Sequence, residues 1–129
     1  MKYLNTYLNF DGTCKEAMTF YAKCLGGELQ MMPFAADMPD RVMHARLTSG
    51  PAILMASGTQ PGTTWTAGSN FAIAIQCESA DDVDTLFTAL SEGGTVTMPV
   101  QDTFWDARVG MLMDRFGVNW MFNFEKAQA

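Results

Sequence analysis

His44 and Arg46 stand two residues apart in the alternating stretch Arg41 to Thr48. In an extended chain that spacing puts both side chains on one face. Histidine is the usual general base near neutral pH. Arginine offers a planar fork that matches carboxylate or phosphate. Tyr7, Asn5, Asn9, Gln76, Asn119 and Asn123 add uncharged donors and acceptors of the kind that orient a ligand. His44 is the only histidine, and a lone histidine is usually structural or merely exposed, although its face points to the cavity beside Arg46. Asp40, just before this stretch, could orient it. Arg46 has a bland alternative too, pairing with Asp40 or with a carboxylate of a partner subunit.

Other residues with chemistry are weaker candidates. Cys14 falls in the first turn of a helix, where the macrodipole lowers a thiol pKa; the plainer reading is a small residue packed on a sheet. Cys24 and Cys77 fall at core-facing positions. Trp65 and Trp105 lie in loop-like surroundings, where a tryptophan covers core, ligand or partner. Glu125 ends the last strand as a solvated residue or salt-bridge partner. Asp114 and Arg115 shape a hairpin turn.

The elements that would hold these residues come in two rounds. Asn5 to Phe10 alternates like a strand, Thr13-Cys14-Lys15-Glu16 reads as a capping box, and a helix runs from about Cys14 to Leu25 until Gly26-Gly27. Its apolar stripe is Ala17, Met18, Tyr21, Cys24 and Leu25. Glu28 to Met32 is extended, Pro33 to Asp40 reads as a loop, and Arg41 to Thr48 and Ala52 to Ala56 form a hairpin. Some 66 residues on, the pattern returns: Phe71 to Cys77 alternates, Ser79 caps a helix of about Ala80 to Glu92, and Gly93-Gly94 ends it. Its stripe is Val83, Leu86, Phe87 and Leu90. Thr95 to Met98 is extended, and a hairpin of about Ala107 to Met113 and Asn119 to Phe124 follows. The reading is a single α+β domain over 1–129, with module one at about 1–60 and module two at about 68–126. Each is a βαβββ unit with one helix, and together they form a bowl-like mixed sheet, because neither can bury its sheet face alone. A ferredoxin-like repeat with fewer strands is the alternative.

Alternation assigns the faces. Thr6, Leu8 and Phe10 oppose Asn5, Tyr7 and Asn9; Phe71, Ile73 and Ile75 oppose Ala72, Ala74 and Gln76; Trp120, Phe122 and Phe124 oppose Asn119, Met121 and Asn123. Met43, Ala45 and Leu47 oppose His44 and Arg46. The large apolar sets should pack on the helices. The other face then carries amides with aromatic and thioether neighbours, which suits a partly enclosed cavity. Eleven methionines are many for 129 residues; most fill core, and a few suit a plastic pocket.

The composition narrows the class. With 48% hydrophobic and 17% charged residues, the chain can build a core and is not disordered. A net charge of −6 argues against nucleic acid or an anionic membrane as partner. Three cysteines without metal-type spacing suit a reduced cytoplasm. No signal-like N-terminus and no apolar run of membrane length is expected.

Several segments carry a family likeness in order and spacing: Tyr7-Leu8-Asn9-Phe10-Asp11-Gly12, Glu16-Ala17 with Phe20-Tyr21, and Gly26-Gly27. Met38-Pro39-Asp40 with Met43-His44-Ala45, Met55-Ala56-Ser57, Phe104-Trp105 and Asp114 to Trp120 continue it. Nearly the whole chain resembles the vicinal oxygen chelate superfamily of glyoxalases, bleomycin-resistance proteins and dioxygenases, in its PhnB-like branch. The resemblance implies the paired-module fold and a homodimer that completes its bowls by edge pairing. It also implies one divalent metal held from the first and last strands of the modules. The nearest positions here are Asn5, Leu54 or Met55, Phe71 or Ala72, and Met121, a set poor in nitrogen and oxygen donors. Some members carry a ubiquinone-methyltransferase label; no glycine-rich strand-to-helix loop for S-adenosylmethionine is present.

The expectation is a cytoplasmic small-molecule binding protein with a degenerate metal site and no cofactor. Its floor would be Asn5, Tyr7, Gln76 and Met121, its wall His44 and Arg46, its rim Trp65 and Trp105. Arg46 as a fixed cation favours an anionic or strongly polar ligand. The alternatives are a metal-dependent lyase, isomerase or dioxygenase using His44 and Glu125, and a dimeric scaffold with a vestigial bowl. No residue is assigned a catalytic role.

Overall fold

A computed structural model describes residues 1–34, 41–59 and 64–126. Chain contacts divide into two units, Met1–Thr66 and Ala67–Ala129. Each is a βαβββ module, and the ferredoxin-like alternative is set aside by four strands in each sheet.

The first unit runs β1 (Thr6–Phe10), α1 (Cys14–Leu25), β2 (Glu28–Pro33), β3 (Val42–Ser49) and β4 (Ala52–Gly58). Its sheet order is β1-β4-β3-β2, with β1 parallel to β4 and the other pairs antiparallel. One face packs on α1. Leu8, Phe10, Ala45, Leu47, Leu54 and Ala56 from the sheet are buried, as are Ala17, Met18, Phe20 and Tyr21 from the helix. Cys24 and Leu25, expected in the stripe, are only half-buried, and Phe20 is buried instead.

Gly27 makes the close approach between helix end and sheet possible. Its φ is +97°, and a Cβ there would collide with the Thr48 carbonyl. The second unit repeats the device at Gly94, where a Cβ would collide with the Met113 carbonyl.

That unit runs β5 (Ile73–Gln76), α2 (Ala80–Ser91), β6 (Thr95–Asp102), β7 (Ala107–Met113) and β8 (Asn119–Glu125). The order is β5-β8-β7-β6, again with one parallel pair, β5 with β8. Val83, Leu90, Leu112, Trp120 and Phe122 are buried. Phe87 meets Phe122 edge-on at 5.4 Å between ring centroids.

Three local expectations are corrected. Thr13 makes no side-chain cap on α1; its φ of −116° and ψ of 10° are not the extended geometry that a capping hydroxyl needs. Ser79 has that geometry and accepts from Asp82 N at 3.0 Å, while the Asp82 carboxylate accepts from Glu78 N at 3.0 Å. Phe71 lies before β5 and is 52% exposed rather than core. Met43 is 44% exposed and Val42 buried in its place. The β2–β3 register shifts there, Pro33 pairing with Val42 and skipping Met43. Proline has no N–H to continue the ladder, so a bulge absorbs it.

Candidate functional site

The first sheet's open face, away from α1, is built by register. Tyr7 on β1 pairs with Met55 on β4, Met55 with Arg46 on β3, and Arg46 with Gln30 on β2. This makes one row of side chains across four strands. The next row holds Asn9 with Ser57, and His44 with Met32. The two rows are joined where the Tyr7 hydroxyl meets His44 Nδ1 at 3.2 Å. Either the phenol donates to Nδ1 or Nδ1–H donates to the phenol, according to tautomer. The rings lie 5.9 Å apart between centroids. Tyr7 is exposed, and His44, Arg46 and Met55 are half-buried.

The other expected residues of this unit sit nearby in different ways. Asn5 is half-buried and precedes β1 by one position. Ser57 Oγ donates to Asn9 Oδ1 at 3.2 Å. Trp65 Nε1 donates to the Asn9 carbonyl at 2.9 Å, on the edge strand of this sheet. It therefore satisfies a group of an open edge, a standard protection for edge strands. Asp40, the expected orienting carboxylate, lies outside the described residues. A separate cleft near the start of α1 is lined by Gly12, Cys14, Phe34, Arg41 and Thr59, among others; Arg41 there donates to the Thr59 carbonyl at 3.1 Å. None of the expected ligand residues lines it. Burial pushes the Cys14 thiol up to about 11, so desolvation outweighs the helix terminus.

The open face of the second sheet has a different character. Met121 on β8 pairs with Met111 on β7, and Met111 with Met98 on β6. Three thioethers thus share one row, which ends at Ala74 on β5. In the adjacent row Gln76 pairs with Asn123, and Asn123 Nδ2 donates to Gln76 Oε1 at 2.9 Å. Glu125 is exposed and accepts a long bond from Asn123 Nδ2 at 3.5 Å.

Trp105 sits at the β6–β7 turn, 57% exposed, with Phe104 97% exposed and edge-on to it at 4.9 Å. Thr103 and Ala107 close this turn with backbone and side-chain bonds, and Asp106 takes a positive φ of 68°. Aspartate tolerates that conformation better than most residues. Arg108 turns away from it to Asp84 at 2.9 Å and Asp102 at 3.1 Å, and those two carboxylates raise its pKa further. Arg115 reaches Glu92.

Sequence reasoning did not single out Gln30, Met98 or Met111 as site residues, and named Met55 only as a position where the family resemblance implies a metal ligand. Alternation in Ala52 to Gly58 does place Met55 opposite Leu54 and Ala56, but which strand lies beside β4 is not a local property. Among the described residues, no group of three or more His, Cys, Asp or Glu side chains converges as a metal site. No helix among them is long and apolar enough to cross a membrane.

Comparison with known proteins places this geometry. The chain is 28% identical over 143 residues to Protein YjdN of Escherichia coli (strain K12), covering 97% of each. It is 43% identical to the crystal structure of protein PA1353 from Pseudomonas aeruginosa, with a TM-score of 0.88 over 97% of this chain and 98% of that one. The PhnB protein from Bacillus cereus shares the fold at 24% identity and a TM-score of 0.76, over 95% and 99% of the two chains. The pattern of the Glyoxalase/Bleomycin resistance protein/Dioxygenase superfamily matches residues 3–122, and the chain belongs to that superfamily.

Proposed function

We propose that this chain is a small-molecule binding protein that holds its ligand on the open sheet faces without a divalent metal. One observation carries the reading: the hydrogen-bonded Tyr7–His44 pair and Arg46 share the open face of one sheet, with Met55 between Tyr7 and Arg46 in the row. In module one the ligand contacts are Asn5, Tyr7, His44 and Arg46, with Trp65 at the rim. In module two they are Gln76 and Met121, with Trp105 at the rim.

The donor chemistry does not fit a catalytic divalent metal. Where the superfamily keeps its ligands, this chain offers the Asn5 amide, the Met55 thioether, the Ala72 methyl and the Met121 thioether. Leu54, the neighbour of Met55, is buried toward the helix. Zn²⁺, Fe²⁺ and Mn²⁺ need several nitrogen or oxygen donors. The family likeness supports a homodimer, and the cysteine and charge pattern supports a cytoplasmic protein with no nucleic-acid partner.

Native mass spectrometry of the chain purified without chelator tests the reading. Expected is a dimer carrying a small organic molecule and substoichiometric metal. One metal per chain, lost on His44→Ala, would replace it with a metal-dependent enzyme using His44 and Glu125. A dimer carrying nothing, and binding nothing in a metabolite screen, would leave a scaffold.

A further inference from the structure

The chain has four arginines, and three are tied to protein oxygens. Arg41 donates to the Thr59 carbonyl, Arg108 bridges Asp84 and Asp102, and Arg115 reaches Glu92. Arg46 differs. Among the described residues it has no hydrogen-bond or ion-pair partner, although it is half-buried in the middle of a strand. Glu28 is the carboxylate best placed to neutralise it. It lies on the same face of the adjacent strand, at the register position of Thr48, and makes no ion pair with Arg46. A half-buried guanidinium with five donors and no acceptor is costly to leave unmatched.

Its neighbours set what could match it. Arg46 and Tyr7 lie two strands apart with Met55 between, about 10 Å from the usual strand spacing. The Tyr7 ring reaches across β4 to His44, which stands two residues from Arg46 on β3, so the Met55 thioether and the phenol lie to one side of the fork and the Tyr7–His44 pair borders it along the strand. This suits a compact apolar body that lies on the thioether and phenol with its oxyanion at the fork.

Resting on the binding function proposed above, we infer that the ligand of this face is a small apolar-bodied oxyanion, a carboxylate or a phosphate, held by the Arg46 fork. A planar fork accepts two oxygens of either group side by side. The Met55 thioether adapts to the body.

The test uses the full chain and three probes of one shape: 1-naphthoate, 1-naphthyl phosphate and neutral 1-naphthamide. Binding is followed through the Arg46 Nε–H signal and the ring signals of Tyr7 and His44. Expected is at least tenfold tighter binding of one or both anions than of the amide; the better anion identifies the source class. Arg46→Met should remove that preference by weakening the anions at least tenfold more than the amide, and Arg46→Lys should restore only part of it, keeping the charge without the fork. Equal binding of amide and anions to the parent chain overturns the oxyanion inference even if Arg46→Met fails to fold. In that case movement of the Tyr7 and His44 signals still supports a binding face. If no probe moves those signals, the inference fails together with the reading of this face as a binding site.

Discussion

Asp114 is the place where one atom pair decides a module. It is 2% exposed, and its two carboxylate oxygens hold the β7–β8 turn. Oδ1 accepts from Phe116 N at 2.8 Å and Val118 N at 3.1 Å, and Oδ2 accepts from Trp120 Nε1 at 2.8 Å. Asp114→Ala strands at least two buried donors, Val118 N and Trp120 Nε1. Each such donor costs about 1–3 kcal/mol, and the acceptor is ionic, so the expected loss is about 3–5 kcal/mol. That is a large share of the 5–15 kcal/mol or so that holds a domain. Asp114→Asn keeps an acceptor for the two backbone donors but turns an N–H₂ toward the indole, and should lose about half as much. Urea unfolding followed by tryptophan fluorescence measures both. A loss under about 1 kcal/mol for Asp114→Ala would refute the reasoning, because the turn would then hold without its carboxylate. The consequence reaches the site. The same hairpin sets the register that puts Met111 beside Met121, and a one-residue slip would turn the row to the other face.

Two glycines side by side separate backbone strain from collision. Gly26 has a φ of +76° with a ψ of −174°, a region essentially reserved for glycine, and open space around it, so Gly26→Ala should cost about 1–3 kcal/mol from conformation alone. Gly27→Ala adds the clash with β3 and should cost about 2–4 kcal/mol; equal thermal shifts for the two would refute the close-approach argument. Cys14 and Cys77 both have thiols pushed up to about 11 from 9.0, by burial in each case and at Cys77 also by Asp82. Their reaction with a disulfide reagent at pH 8 should be about a hundredfold slower than in the urea-unfolded chain, from the smaller thiolate fraction. Because the folded values lie above the unfolded one, the unfolded chain loses these protons first. Stability is therefore intact below about pH 9 and declines as pH rises toward about 11, read as a falling urea midpoint.

What was legible in the sequence was the local and the periodic. Helix α1 spans Cys14–Leu25 as its glycine pair and apolar spacing require, and alternation sorts Leu8 and Phe10 from Tyr7 and Asn9. Where the expectation failed, a neighbouring strand or a backbone angle intervened. Strand β6 continues through Pro99 to Asp102 because it is an edge strand, where a missing N–H faces no partner. Met43 turned outward because Pro33, across the ladder, forced a bulge. The candidate site was half legible for the same reason. Alternation gave the face of Tyr7, His44 and Arg46, but the contact of Tyr7 with His44 depends on β4 lying between their strands.

The two modules share a frame and divide the chemistry. In the second, the amides of Gln76 and Asn123 are turned on each other, and the adjacent row offers thioethers. Such a surface accepts apolar matter of many shapes and fixes little about its orientation. In the first, Arg46 has no protein partner among the described residues, and the Tyr7–His44 pair keeps unused donor and acceptor capacity. Directional hydrogen bonds discriminate between ligands far more sharply than apolar contact does, since a buried polar group left unmatched by the wrong ligand costs more than a missing methylene. A ligand on the first face would therefore be read more selectively than one on the second. The repeat was kept where the backbone demands it, at the glycines that let each helix end approach its sheet, Gly27 and Gly94, and has diverged where a ligand would be read.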